Sequence, residues 1–257
     1  MSKLFHATGI VLCGEPYREA DRSYHVFTKE YGKLRVIARG GSKLHAKLTP
    51  HMEMPAELVL SFAHAHTLPI VIGVERHQLF PVVCRIPERL SLVQQAFHFV
   101  DAGTKEEEID LDLYQDLFAW LTFVEQDLGE LPRERRSFLL ASFALKLLSR
   151  LGYHPQLQAC LHCNKQVSSS EFKWHAVKGG VVCTSCTTAE PSVWSAARPM
   201  DDDTLKLLRF SLSASHEEQL RPRLPTRVLP LFHSAVESLF MAHFPIIPNC
   251  AIQDVCS

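Results

Sequence analysis

The first eighty residues carry apolar side chains at alternate positions, the period of two that is typical of β-strands. In the clearest segment, between Gly32 and Gly40, one face is apolar and the other is mostly cationic. The apolar face has Leu34, Val36 and Ala38, and the opposite face has Lys33, Arg35, Ile37 and Arg39. The predicted strands cover residues 4–12, 23–28, 33–39, 57–62 and 69–75. Five short strands separated by turn residues predict a small barrel of the OB-fold type, with a β-sandwich as the alternative.

From about residue 79 onward, the apolar positions recur every three or four residues, as they do along one face of an α-helix. Pro132 precedes one such segment and Gly152 ends it, while Asp202 or Asp203 is placed to cap a later one. The predicted helices cover residues 92–100, 113–128, 133–151, 202–212 and 226–243. The two patterns together predict an α+β multidomain chain, with an N-terminal β-barrel followed by an all-helical domain.

Two cysteine knuckles interrupt the helical pattern, Cys160-Leu-His-Cys163 and Cys183-Thr-Ser-Cys186, with nineteen residues between them. Two such pairs at this distance can present four sulfurs to one ion, so the spacing predicts one structural Zn²⁺ held by Cys160, Cys163, Cys183 and Cys186. A redox dithiol and a pair of disulfides are the alternatives. A redox dithiol of the thioredoxin type needs only one knuckle, set between a strand and a helix. A catalytic zinc keeps an open position, which four matched cysteines would close.

The knuckles also define the predicted domain organisation. His162 and His175 are nearby substitutes as ligands, but we interpret them as surface residues of the zinc module. The predicted domains are an OB-fold domain at 1–80, a helical domain at 81–157 and 190–245, the zinc module at 158–189 and a C-terminal tail at 246–257.

Composition narrows the class of protein. The 257 residues are 46% apolar and 21% charged, an ordinary globular mixture. No apolar run approaches the ~18 residues of a membrane span, and residues 1–6 lack the start of a secretory signal. Eight cysteines, four of them in knuckles, fit a reducing compartment better than a disulfide scaffold. We therefore expect a cytoplasmic protein with no membrane partner.

Charge is distributed unevenly, although the formal net charge is only −1. Residues 1–50 contain nine Lys and Arg against four Asp and Glu, whereas Lys105 is the only cation in the acidic stretch 101–130. This asymmetry predicts an anion-binding face on the N-terminal part of the chain.

The cationic strand face is the candidate for that role. Its cations continue into the following loop and could track a phosphate backbone, while neighbouring aromatic rings could stack on exposed bases. The candidate cations are Lys33, Arg35, Arg39, Lys43 and Lys47, and the candidate rings are Tyr24, Phe27 and Tyr31. The alternative, of equal weight, is that these cations only solvate the outside of a barrel.

Enzyme signatures are absent from the sequence. It contains no GxxxxGK[ST] phosphate loop, no GxGxxG, no HExxH and no GxSxG. We therefore expect a binding protein and no enzymatic activity.

Two stretches of the chain resemble the bacterial RecO family of recombination mediators. The first is Gly32-Lys-Leu-Arg-Val-Ile-Ala-Arg-Gly40, preceded by Tyr24-His-Val-Phe-Thr28. The second runs from Leu145 to Pro155 and continues through the first knuckle, Phe172, Gly179-Gly180 and the second knuckle. The resemblance covers roughly residues 4–240 and implies an N-terminal OB-fold, a helical domain and a four-cysteine zinc module.

The resemblance also implies a function. Such proteins bind single- and double-stranded DNA, anneal complementary strands, work with RecR, contact the single-stranded-DNA-binding protein and assist RecA loading. It assigns the DNA contacts to Lys33, Arg35, Arg39, Lys43 and Lys47, and a place in the bacterial cytoplasm with the nucleoid. The loop 40–47 is less basic than is usual in the family. The alternatives are a zinc-ribbon accessory protein whose barrel binds RNA or protein, and a zinc hydrolase or deaminase, which four thiolates disfavour.

Overall fold

The computed structural model describes residues 4–43, 48–126, 129–167 and 172–245. The chain divides into two units, Met1–Leu128 and Gly129–Ser257. The helices of residues 81–126 therefore group with the N-terminal strands, whereas the sequence pattern joined them to the later helices. No described helix combines the length and the apolar character needed to cross a membrane.

Five strands of the first unit close into a barrel in the order β1-β2-β3-β5-β4. The neighbouring strands run antiparallel, except that β3 and β5 are parallel where Ile37 faces Ile70. The short helix α1 (Thr49–Met52) lies between β3 and β4 in the chain. The strands are β1 (Leu4–Tyr17), β2 (Asp21–Thr28), β3 (Gly32–Ala38), β4 (Ala56–Ala63) and β5 (Ile70–Leu79). All five predicted strands are confirmed, most of them with longer bounds.

The inner face of the barrel follows the predicted alternation. Leu34, Val36 and Ala38 are buried in one apolar cluster with Tyr24 and Met52, the last of which comes from α1. Each large apolar side chain buried in this way contributes on the order of 1.5–3 kcal/mol relative to an exposed one. The alternation of β3 therefore decides which side of this strand forms the barrel core.

The outer face of β3 differs from the expectation. Lys33 and Ile37 were predicted on a solvated face, but they are only 7% and 8% exposed. The segment before the fourth helix of the chain runs alongside β3, and the Glu107 N–H donates to the Lys33 carbonyl at 2.9 Å. Alternation along a strand creates two faces, but a distant segment of the chain decides whether the second face meets water.

Three helices follow the barrel strands within the first unit: α2 (Pro81–Arg85), α3 (Pro87–Gly103) and α4 (Leu111–Glu125). Helix α3 packs on β1, and the Tyr114 ring of α4 lies 5.8 Å from the Phe27 ring of β2. Asp110 caps α4, since its carboxylate accepts from the Leu113 N–H at 2.8 Å. These helices cover strand surface that an isolated barrel would expose.

The second unit combines three long helices with the cysteine module. Helices α5, α7 and α8 pack on one another, and Ser142 of α5 donates to Ser211 of α7 at 3.1 Å. The cap of α7 is Asp201, whose carboxylate accepts from the Thr204 N–H at 2.7 Å, and not the predicted Asp202 or Asp203. The elements are α5 (Arg133–Arg150), β6 (Phe172–His175), β7 (Gly180–Cys183), α6 (Thr184–Ala189), β8 (Arg198–Pro199), α7 (Asp202–Ser213), a 3₁₀ turn (Glu218–Leu220) and α8 (Leu229–His243).

A test of the outer-face packing uses Gly32. Its φ is +67°, and a Cβ added there would lie 2.1 Å from the Glu108 carbonyl oxygen. Gly40 has a similar φ of +64° but no atom nearer than 3.5 Å, so it serves as the matched control. Gly40→Ala should cost about 1–2 kcal/mol of unfolding free energy, the cost of a left-handed backbone alone. Gly32→Ala should cost roughly twice that or more, measured by urea unfolding, because a backbone clash is added. Equal losses would contradict the packing of residues 104–110 on β3.

Candidate functional site

The four knuckle cysteines converge in the second unit. The sulfur atoms of Cys160, Cys163, Cys183 and Cys186 all lie within 4.8 Å of one another, and the Cys163 and Cys183 sulfurs are 3.8 Å apart. A tetrahedral ion with metal–sulfur bonds of about 2.3 Å separates its ligands by about 3.8 Å. All four residues are free thiols. The cluster therefore fits one four-coordinate metal ion, and it does not form the alternative disulfides.

The local backbone prepares these sulfurs for a metal. Cys183 ends β7 and Cys186 lies in α6. The Cys160 sulfur accepts backbone N–H groups from His162 at 3.4 Å and from Cys183 at 3.3 Å. Burial opposes a charge on Cys160, but these and other N–H donors outweigh it and hold the pKa of the thiol below its usual value. Thiolate is the form that binds a metal, so these hydrogen bonds favour metal binding.

Two hydrogen bonds tie the cysteine module to the helices of its unit. The Arg209 guanidinium of α7 donates to the carbonyls of Leu157 at 3.1 Å and Val167 at 3.3 Å, on either side of the first knuckle. The Trp174 indole of β6 donates to the Ser238 hydroxyl of α8 at 3.1 Å. An ion that orders the knuckles thereby also orders the contacts of α7 and α8.

The two neighbouring histidines are not part of the cluster. His162 is half-exposed, 4.0 Å from Glu190, as expected of a surface residue. The prediction was wrong for His175, which is 4% exposed and meets the Trp194 ring edge-on at 5.6 Å. Burial lowers the pKa of His175, so it packs as a neutral ring.

The predicted cations of β3 are engaged in ion pairs. Lys33 is buried, and its ammonium lies 3.2 Å from the Asp101 carboxylate of α3 and also donates to the Asp101 carbonyl. Arg35 pairs with Glu15 of β1 at 2.7 Å. The prediction that Lys33 lies on a free face was wrong, because the helix that follows the barrel covers it. Neither cation is presented to solvent without a carboxylate beside it.

Beyond β3, Arg39 and Lys43 are exposed and have no ion-pair partner within the described ranges. Lys47 lies outside the described residues. Arg39 and Lys43 are therefore the predicted phosphate contacts that the structure leaves free for an anion.

Sequence reasoning missed the cations of the β1–β2 turn, Arg18 and Arg22. This turn lies beside the β3–α1 loop, where the Ser42 N–H donates to the Ala20 carbonyl at 2.9 Å and the Gly40 N–H donates to the Asp21 carboxylate at 2.8 Å. Four cations meet at this end of the barrel, which we call the basic end: Arg18, Arg22, Arg39 and Lys43. Glu19, Asp21 and Glu53 are close to them, so the excess of positive charge is small.

The predicted stacking residues are mostly inside the protein. Tyr24 and Phe27 are 1% and 0% exposed, so neither ring is available to a base and this prediction was wrong for both. Tyr31 is 40% exposed and packs edge-on against Phe5 at 5.2 Å. Aromatic residues of β2 alternate between the barrel core and the surface under α4, and both of these surfaces are covered.

A second group of ligand-type side chains surrounds Asp101. Its carboxylate lies 2.7 Å from the His25 Nδ1 atom and 3.7 Å from the Cys13 sulfur, in addition to Lys33. The hydrogen bond to Asp101 and a second to Cys13 raise the pKa of His25 to about 10. Burial opposes the charge on Asp101, but His25 and Lys33 outweigh it and lower the pKa of this carboxyl. Because an ammonium and an imidazolium already compensate the carboxylate, we interpret this group as the anchor between α3 and the barrel.

Comparisons with known proteins match both units of the chain. A family model described as recombination protein O N terminal matches residues 1–76, and one described as recombination protein O C terminal matches residues 86–225. A DNA repair protein RecO from Roseiflexus sp. is 27% identical over 94% of this chain and 80% of its own length. A DNA repair protein RecO from Dehalococcoides mccartyi is 25% identical over 91% and 88%, and one from Geobacter metallireducens is 27% identical over 82% and 84%.

The His25 anchor predicts a pH dependence of stability. Because folding raises the pKa of His25 from 6.5 to about 10, its contribution is fully present below about pH 6.5 and is lost as the pH rises towards 10. The unfolding free energy of the parent should fall over this interval, and that of His25→Gln should fall less. Urea titrations at several pH values measure both curves. Cys13, Lys33 and Asp101 face His25 and remain in both proteins.

His66→Gln is the matched control, since His66 is exposed on the loop between β4 and β5. It should follow the parent curve. Parallel curves for His25→Gln and the parent would contradict a charged His25 in the folded protein.

Proposed function

The chain belongs to the recombination protein O family of DNA repair proteins, and from this premise we propose that it binds single- and double-stranded DNA and anneals complementary strands. The proposal further includes assistance to RecA loading together with RecR. The observation that carries it from the structure is the basic end of the barrel, where Arg39 and Lys43 are exposed and unpaired within the described ranges.

We assign the barrel to the OB-fold class. Support comes from its five strands, their order and the helix between β3 and β4. OB-folds bind oligonucleotides through one strand face and the loops that flank it. In this chain the loops are the available part, because β3 has its outer cations in ion pairs with Glu15 and Asp101.

The proposed mechanism is electrostatic. Cations of the basic end neutralise phosphates on each of two strands and lower the repulsion between them, so that complementary bases meet. Phosphate contacts carry no sequence information, which suits a protein that must act on any damaged sequence. No nucleotide hydrolysis is needed in this scheme, and we propose that the protein is not an enzyme. The small excess of positive charge predicts modest affinity.

We propose that the four-cysteine cluster holds one Zn²⁺ with a structural role. Four thiolates complete a tetrahedral shell and leave no position for a substrate or a water. Cys160, Cys163, Cys183 and Cys186 would hold the ion, and the contacts of Arg209 and Trp174 would connect it to α7 and α8. The ion then stabilises the unit without taking part in DNA chemistry.

The proposed partners are RecR, the single-stranded-DNA-binding protein and, indirectly, RecA. The support is family membership together with the printed names of the relatives as DNA repair proteins. A place in the bacterial cytoplasm with the nucleoid follows from these partners. A pull-down scored for RecR and the single-stranded-DNA-binding protein tests this part of the proposal separately from DNA binding.

The test of the function is strand annealing without a nucleotide. The protein should accelerate annealing of complementary oligonucleotides in buffer alone, and the acceleration should fall as salt rises, because salt screens the attraction between protein and phosphate. Protein-free annealing should respond in the opposite direction, because salt screens the repulsion between strands. Fluorescence quenching of a labelled pair gives both rates.

The variant Arg39→Ala/Lys43→Ala localises the effect. It should reduce the slope of log affinity against log salt by roughly 1.4 on single strands, about 0.7 for each lost phosphate contact. Lys165→Ala/Lys206→Ala removes two exposed cations of the second unit and is the charge-matched control. A nucleotide requirement, or no acceleration at low salt, would favour the alternative of a barrel that binds RNA or protein.

Metal content tests the zinc assignment. Purified protein should contain about one zinc per chain, as a single closed site requires. Cys183→Ser should lower the metal content and the thermal stability, whereas Cys84→Ser, a half-buried thiol outside the cluster, should change neither the metal content nor the response to a chelator. Metal-free protein with the stability of the parent would rule out a structural ion.

A further inference from the structure

A cavity of about 240 Å³ opens next to the basic end, between β1, the end of α1 and α3. Residues 11–14 of β1 form one side and residues 52–55 form another, with Phe97 of α3 at the back. The volume lies below the range of about 300–1,000 Å³ that is usual for drug-sized ligands. It matches a group of the size of one ring system.

Two polar groups of the cavity wall lack hydrogen-bond partners within the described part of the chain. The Tyr24 hydroxyl is one of them, on a side chain that is only 1% exposed, and the Arg22 Nε atom is the other. A buried polar group without a partner costs free energy, and such groups are rare in folded proteins. The cavity therefore presents a hydroxyl, which donates and accepts, beside a guanidinium N–H, which donates.

The remaining walls are apolar and flat. The Tyr24 ring lies directly against β1 at Gly14, where an added Cβ would come within 2.5 Å of a ring carbon. Met52, Met54 and Phe97 supply thioether and aromatic surface around the opening. Thioethers and aromatic rings make favourable contacts with the face of a planar ring.

Arg22 connects this cavity to the basic end. It lines the cavity, and its Cβ lies 3.2 Å from the position of a Cβ on Gly41, in the loop that carries Arg39 and Lys43. Its ion pair with Glu53 is long, 3.5 Å, and its bond to the Gly14 carbonyl is 3.5 Å. A strand whose phosphates contact Arg39 and Lys43 thus has the cavity within reach of its next base.

We propose that the cavity receives one unstacked nucleobase of the strand bound at the basic end. A base offers a flat apolar face to the methionines and donors and acceptors on its edge to Tyr24 and Arg22. An aliphatic side chain of a protein partner would leave both polar groups unpaired, which such sites reject strongly. The inference rests on the proposed DNA binding and deepens it by naming the contact made with bases.

The test compares a base-bearing single strand with a fully abasic strand of equal length. Tyr24→Phe removes only the unpartnered hydroxyl, so the variant should fold as well as the parent. It should bind the base-bearing strand about fivefold more weakly, the size expected for one net hydrogen bond. Its affinity for the abasic strand and its salt slope should equal those of the parent. Met54→Trp, which fills the cavity from an exposed position, should reproduce the selective loss.

A 2-aminopurine strand gives an independent readout, because its fluorescence rises when the base leaves the stack. The rise should occur with the parent and be smaller with Met54→Trp. Equal losses on both strands, or no loss on either, would overturn the cavity proposal while the salt dependence of the parent still supports DNA binding. Failure of the parent to bind either strand at any salt concentration would overturn the proposed function itself.

Discussion

The ion pair between Lys33 and Asp101 is the contact on which the arrangement of the first unit depends. It joins a barrel strand to a helix that begins more than fifty residues later, and His25 strengthens it through the same carboxylate. Breaking a fully buried pair costs about 3–5 kcal/mol, and the partial exposure of Asp101 places this one below that range. With α3 held on the barrel, the outer side of β3 is occupied. The cations that remain for an anion are those of the loops at the barrel end.

The four thiolates have the corresponding role in the second unit. The cysteine module has two short strands and few apolar side chains of its own, so its order depends on contacts beyond itself. Arg209 and Trp174 supply two of these contacts, and a bound ion would supply the third. Because an unfolded chain holds no preformed site, the free energy of metal binding adds to that of folding. This coupling explains why a repair protein without metal chemistry would retain a metal site.

The loops and the cavity together suggest a division of labour in DNA binding. Arg39 and Lys43 are long, exposed side chains suited to phosphates of any sequence, whereas Tyr24 and Arg22 present buried polar atoms suited to a base edge. Modest charge at the surface keeps the strand exchangeable, which an annealing protein needs in order to release its product. A base held out of its stack would pair more readily with an incoming strand, since its unstacking has already occurred.

The sequence by itself determined the five strands, most of the helices and the four converging cysteines, because these follow from local spacings of fixed period. The inner face of β3 is an example, since Leu34, Val36 and Ala38 alternate strictly. The tertiary structure alone decided that Lys33, Tyr24 and Phe27 are buried and that Cys13, His25 and Asp101 meet. A strand pattern states that two faces exist, but the partner of the second face is 68 positions away from Lys33. No local period records a contact at that distance, so the free cations and the cavity emerge only from the folded chain.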